Sequence, residues 1–224
     1  MNVTGKIVSL RRMRKAVIKE FNRLYYNSTV WGNGGTRWLG TTVLKCPTDL
    51  WIYQEILYEL KPDVIVETGT FNGGSAYYFA CLFDLIGKGE IITIDVEDNK
   101  ERPKHDRVTY LKGFSTSKEI FEKVEDLIKN KQTVMVVLDS DHIKENVLNE
   151  LKLYSALVTE NSYLVVEDTN INGHPALPDF GPGPMEALEE FLLENKDFVV
   201  DESKEKFFLT FNPKGYLRKK TLTP

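Results

Sequence analysis

The chain predicts an α/β protein built on a mostly parallel sheet, with helices covering both faces. Three observations carry this. Five short apolar runs rich in β-branched residues, VIVETG (64–69), EIITID (90–95), RVTYLKG (107–113), VMVVLD (134–139) and YLVVED (163–168), recur along the middle of the chain. Helical patterns separate most of them. The runs are near-continuous in apolar residues rather than alternating, which is the mark of strands buried on both faces.

Before the first of these strands, Leu10, Met13, Val17, Phe21 and Leu24 fall at helical spacing. Arg11, Arg12, Arg14, Lys15, Lys19 and Arg23 lie mostly elsewhere on the wheel. The helix is expected to pack on its own core or on a neighbouring subunit, making a homo-oligomer; a basic helix lying on an anionic membrane is the alternative. The Gly- and Trp-rich segment VWGNGGTRWLG (30–40) follows, as a packed arm or a binding lid. PTDLWIYQEILYEL from Pro47 reads as a helix that Thr48 or Asp49 could cap. Residues 1–46 are therefore expected to form a helical arm, and 47–224 the main domain. After the fifth strand, PMEALEEFLLEN gives a helix, and FVVDES with KFFLTFNPKGYL a hairpin-like antiparallel finish.

Composition narrows the function. In 224 residues, 29 basic and 33 acidic side chains give a net charge of −4, which argues against a chain that coats nucleic acid. Two cysteines, Cys46 and Cys81, make neither a disulfide framework nor a four-ligand zinc site. No apolar run reaches the ~20 residues that span a bilayer. The first residues lack the apolar core of a signal peptide, so a cytoplasmic location is expected. Histidine is scarce: His105, His142 and His174 are the full set.

In an open α/β sheet, ligands bind beyond the carboxyl ends of the strands. The first strand ends in Glu67-Thr68-Gly69-Thr70-Phe71-Asn72-Gly73-Gly74-Ser75, a turn in which glycines permit close approach of backbone to ligand. Its spacing departs from the dinucleotide fingerprint G-x-G-x-x-G, and Glu67 would repel a pyrophosphate. Asp95 ends the second strand, where an acid can accept hydrogen bonds from ribose hydroxyls. Gly113-Phe114-Ser115 ends the third, an aromatic face and a hydroxyl that could bracket an adenine. Taken in order, these describe an adenosine-bearing ligand without phosphates, which points to S-adenosylmethionine.

The last two strands end in acids, Asp139 and then Glu167-Asp168. Like charges gathered at the mouth of an apolar sheet need a cation, and oxygen ligands favour a hard divalent ion such as Mg²⁺. Capping of helices or pairing with lysines is the alternative. His142, three residues past Asp139, is placed to act as general base. The Gly/Pro-dense loop NGHPALPDFGPGPMEAL (172–188) is expected as a substrate-facing wall or an inert surface loop.

The segments WLGTTVLKCPTDLWIYQEIL, VETGTFNGGS, LDSDH, YLVVEDT and NGHPALPDFGPGPMEA, in this order from Trp38 to about Leu193, resemble the cephalosporin hydroxylase family, also called rhamnosyl O-methyltransferase-like. The resemblance implies a Rossmann-like class I methyltransferase with a seven-stranded, mostly parallel sheet and a C-terminal antiparallel strand. It implies Asp139, Glu167 and Asp168 as metal ligands, and Glu67, Gly69, Ser75, Asp95 and Ser115 as cofactor contacts. Thr70, Phe71 and Gly73 of the same turn, with Phe114 and Asp139, complete the expected cofactor site. The middle also resembles catechol O-methyltransferase, which carries a lysine where this chain has His142, and Asp-Asn where this chain has Glu167-Asp168 followed by Thr169.

The expected activity is Mg²⁺-dependent O-methylation of a small-molecule hydroxyl, on a sugar, polyol or natural product, with Asp139 and His142 as catalytic residues. Oxidative tailoring, which the family's name suggests, needs two histidines and a carboxylate on iron, and no histidine here begins a His-x-Asp or His-x-Glu motif. A non-catalytic binding partner would have no physical need for the acidic cluster.

Overall fold

The computed structural model describes residues 3–32 and 35–221, with the backbone alone for 3–9; Asn33 and Gly34, in the middle of the Gly/Trp-rich segment, fall outside that range. A long helix, α1 (Val3–Ser28), leads to a two-stranded ribbon, β1 (Arg37–Trp38) and β2 (Thr41–Thr42), and then to α2 (Pro47–Leu60). The body alternates β3 (Val64–Thr68), α3 (Gly74–Ile86), β4 (Glu90–Asp95), β5 (Val108–Lys112), α4 (Lys118–Ile128), β6 (Val134–Leu138), α5 (Lys144–Tyr154), β7 (Tyr163–Val166) and α6 (Pro184–Glu194). It closes with β8 (Phe198–Val200) and β9 (Tyr216–Lys219).

The seven longer strands form one sheet in the order β5-β4-β3-β6-β7-β9-β8. All pairings are parallel except those of β9, which runs antiparallel to both β7 and β8. This is the class I methyltransferase arrangement expected from the sequence. The order reverses between β4 and β6 around β3, so the helices leaving β3 and β6 start on opposite faces and open a crevice between them.

Period-two alternation divides the core. Val64, Val66, Val136, Leu138, Leu164 and Val166 face α4, α5 and α6, where Val124, Leu151, Leu188 and Phe191 meet them. Ile65, Met135, Val137 and Val165 face α2 and α3, against Ile52, Tyr53, Ile56, Phe79 and Phe83.

Two local expectations need correction. Neither Thr48 nor Asp49 caps α2: the cap is Cys46 with Pro47 following, a start that Pro tolerates because its missing N–H has no helical partner. Thr48 instead donates to the Leu209 carbonyl at 2.6 Å, and Asp49 accepts from Thr210 Oγ1 and from the Phe211 N–H. Those bonds also explain the second correction. KFFLTF does not join a short hairpin, because its backbone groups near Phe211 are satisfied by side chains of α1 and α2 rather than by a strand partner. A 3₁₀ turn (Glu202–Glu205) and this loop separate β8 from β9.

Among the described residues no helix is long and apolar enough to cross a membrane.

Candidate active site

The carboxyl ends of β3, β4, β5 and β6 surround a cavity of about 620 Å³, with Tyr26 and Trp31 from α1 and the following segment on its rim. Of the cofactor candidates, Gly69, Thr70, Phe71, Ser75, Asp95, Phe114, Ser115 and Asp139 line it, whereas Gly73 does not and instead caps the start of α3.

The turn after β3 is shaped by Gly69. Its φ of +88° lies in the region open to glycine, and a Cβ there would come 1.7 Å from the Asp139 carbonyl oxygen. The turn therefore rests directly on the chain leaving β6. Asp95 fastens its far side: Oδ2 accepts the Phe71 N–H at 2.6 Å and pairs with Arg102 at 3.1 Å, while Oδ1 accepts the Glu97 N–H at 2.9 Å. Arg102 closes the loop by donating to the Phe71 carbonyl at 2.7 Å. Phe114 stands 71% exposed at the opposite wall, a free aromatic face. The Ser115 hydroxyl is committed to donating to Glu150, so toward a ligand it can only accept.

Glu67 does not face the cavity. It alternates with Val66 onto the α2/α3 side of the sheet, fully buried, and accepts from Thr93, its register partner on β4, at 2.7 Å. With that hydroxyl hydrogen spent, Thr70 donates to Thr93 at 2.7 Å, so Glu67 braces the glycine turn from beneath. Burial raises its carboxyl above the ordinary range, against the pull of the Lys45 ammonium.

At the other end of the cavity, one oxygen or nitrogen each from Asp139, His142 and Asp168 lie within 4.8 Å of one another. His142 Nε2 is 3.5 Å from Asp168 Oδ2. Asp168 is held in a left-handed conformation (φ +53°) by its N–H, which donates to Asn212 Oδ1 at 3.0 Å. Burial is the main force raising both carboxyls; Glu167 pushes in the same direction, while Lys45 opposes it at Asp139 and His142 at Asp168.

Glu167, expected beside these ligands, alternates with Val166 to the α2 side. There it accepts from the Tyr53 hydroxyl and pairs with Lys45 Nζ at 3.0 Å. Lys45 also reaches Asp139 Oδ2 at 2.8 Å, so one buried ammonium links the two acids. Lys45 pairs with Asp139 and Glu167 while Asp168 faces His142, so three acids gather around one ammonium and an imidazole, and a divalent cation would offset the surplus of negative charge. The donor set suits such an ion at Asp139 and Asp168. Thr169, whose hydroxyl donates to the Pro213 carbonyl, is turned into the loop before β9. The 172–188 loop places Gly183 against the backbone of His142, while His174 and Asn172 bond Glu186 at the start of α6.

A family model described as rhamnosyl O-methyltransferase/CmcI matches residues 30–220. The chain belongs to this family. The rhamnosyl O-methyltransferase of Mycobacterium bovis (strain BCG / Pasteur 1173P2) is 41% identical over 214 residues, covering 92% of this chain and 86% of its own. That of Mycobacterium leprae (strain TN) is 38% identical over 216 residues, 93% of each chain. Two structures of CmcI share the fold: the N160 apo structure, at a TM-score of 0.66 and 24% identity, and the D160 structure with Mg and S-adenosylmethionine, at 0.66 and 23%. Each alignment covers 84% of this chain and 77% of CmcI. Within this family the chain is an O-methyltransferase.

Several residues of this O-methyltransferase site were not singled out from the sequence. Lys45 and Tyr53 carry no spacing signal relative to the acids they bond, 94 and 114 positions away. Glu150 reads as one more polar residue of α5, yet it is fully buried under Ser115. Tyr26 was missed too; it meets Trp31, from the segment expected as an arm or lid, at 4.9 Å, and both stack edge-on against Phe211, which brings the N-terminal segment to the cavity rim.

Proposed function

We propose that this chain transfers the methyl group of S-adenosylmethionine to a hydroxyl of a rhamnosyl or related sugar, assisted by Mg²⁺. The observation that carries the reading is a single cavity with Asp95 and Phe114 at one end and the Asp139–His142–Asp168 group at the other. The mycobacterial relatives, named for rhamnosyl O-methylation, support the sugar as acceptor.

When bound, S-adenosylmethionine supplies an electrophilic methyl group and Mg²⁺ a positive charge that favours the ionised acceptor hydroxyl. Asp95 has lone pairs left, beyond those used by Phe71 and Glu97, to accept the ribose hydroxyls. Phe114 offers its face to the adenine, and Gly69 allows the ligand to lie against bare backbone. Asp139 and Asp168 hold the metal. Lys45, itself held by Glu167, which Tyr53 braces, fixes Asp139 from behind, so its carboxylate is already oriented for the metal it would hold. His142 Nε2 takes the acceptor proton, and Asp168, 3.5 Å away, stabilises the charge that the imidazole gains. Tyr26 and Trp31 at the rim cover the acceptor and keep water from it.

The direct test is mass spectrometry of a glycoside panel incubated with the protein, S-adenosylmethionine and Mg²⁺. A mass gain of one methyl on rhamnosides, above that on glucosides and phenols, is expected. Methylation of phenols alone would refute the sugar assignment.

A further inference from the structure

One face of α5 supports the wall of the cavity where β5 and β6 end. Asn146, Glu150 and Tyr154 follow one another at four-residue spacing, so their side chains share a side of the helix. Asn146 Nδ2 donates to Ser140 Oγ at 3.1 Å, and the Tyr154 hydroxyl donates to the Ser115 carbonyl at 2.7 Å. Between them Glu150, fully buried, takes the Ser115 hydroxyl hydrogen on Oε1. Its Oε2 is buried without a hydrogen bond, and among the described residues no basic side chain pairs with this carboxyl. Burying an acid without a cation is costly, and a glutamine would avoid that cost while keeping the shape. A glutamine, however, could turn its amide to donate to Ser115, which would free the serine hydrogen for a ligand.

We propose that Glu150 makes the cofactor site select an adenine over a 6-oxopurine, by holding Ser115 as a hydrogen-bond acceptor. This rests on the reading that the adenine lies against Phe114, next to Ser115 in the chain. With its hydrogen spent on Glu150, the Ser115 hydroxyl shows the cavity only lone pairs. The exocyclic 6-amino group carries the only N–H hydrogens of an adenine joined to ribose, so it is the group that such an acceptor engages. A 6-oxo group would set lone pair against lone pair and leave the Ser115 oxygen unmatched. Burial pushes the Glu150 carboxyl upward, against the pull of the Ser115 hydroxyl. A proton taken up would go to Oε2, and Oε1 would still accept from Ser115. Glu150 is thus a positioning residue, acting on the ligand through Ser115.

Titration calorimetry of the full chain with S-adenosylhomocysteine and with S-inosylhomocysteine tests this, with thermal unfolding to check the fold. The wild type is expected to bind the adenosyl ligand about tenfold or more tightly than the inosyl one. Glu150→Gln is expected to bring the two affinities within about threefold, mainly through tighter binding of the inosyl ligand, a change that a merely structural role would not produce. Should that variant not fold, Ser115→Ala, which removes the acceptor itself, is expected to narrow the preference as far. A wild type that binds the adenosyl ligand without preference, or variants that keep the wild-type ratio, would overturn the proposal while leaving the cofactor site in place. A wild type that binds neither ligand would overturn the cofactor reading and the proposal together.

Discussion

Replacing Gly69 by alanine strikes the point where the cofactor turn and the acidic cluster meet. The added Cβ would sit 1.7 Å from the Asp139 carbonyl oxygen, 2.4 Å from its carbon and 2.8 Å from the Ser140 nitrogen. All three are backbone atoms, so no side chain can swing aside. Alanine at φ +88° costs about 1–2 kcal/mol, and forcing packed backbone apart about 1–3 kcal/mol, together about 2–5 kcal/mol. In a chain of this size each kcal/mol lowers Tm by about 2–4 °C, so a drop near 10 °C is expected by calorimetry. The displacement also moves Asp139 relative to the turn, so affinity for S-adenosylhomocysteine should fall more than about tenfold in titration calorimetry. A Gly69→Ala protein that melts within about 2 °C of wild type and binds normally would refute this account of the turn.

Lys45→Met removes the buried ammonium between Asp139 and Glu167; a loss of about 3–5 kcal/mol is expected in denaturant unfolding, partly restored by Mg²⁺. His142→Gln should lower kcat by ~10²–10⁴-fold while leaving S-adenosylhomocysteine affinity within about twofold, measured by single-turnover kinetics and calorimetry. At the start of α6, burial works to raise the Glu186 carboxyl, but the Gly183 N–H, His174 and Asn172 outweigh it and hold the group at about 2. Since that value lies below the ordinary carboxyl range, its contribution is complete above about pH 4.5 and is lost as pH falls toward 2. Glu186→Gln should therefore cost about 1–2 kcal/mol at neutral pH and show a shallower loss of stability on acidification, followed by chemical denaturation across pH.

The strands and their terminal acids were legible because buried parallel strands must be apolar throughout, so a carboxylate at the edge of such a run stands out. Asp95, Asp139 and Asp168 at the cavity followed from that. The direction of Glu67 and Glu167 was less visible. Each follows the period of its strand onto the α2/α3 side, and only the packed sheet shows that Thr93, Lys45 and Tyr53 wait there. Lys45 pairs with acids from two distant strands, a contact created by topology rather than by local pattern. KFFLTF had the apolar content of a strand, but Asn22 and Asp49 had already engaged the backbone around Thr210 and Phe211. In α1, periodicity gave the amphipathic helix correctly and could not say that the core meets its other side.

The central claim is that methyl transfer depends on a divalent ion held by Asp139 and Asp168 next to His142. The most direct measurement is the rate of labelled methyl transfer from S-adenosylmethionine to a rhamnoside by metal-stripped protein as Mg²⁺ is added back. Turnover should be lost in the presence of a chelator and recover with saturable dependence on Mg²⁺, with no recovery in Asp139→Asn. Undiminished transfer by the chelated wild-type protein would contradict the account.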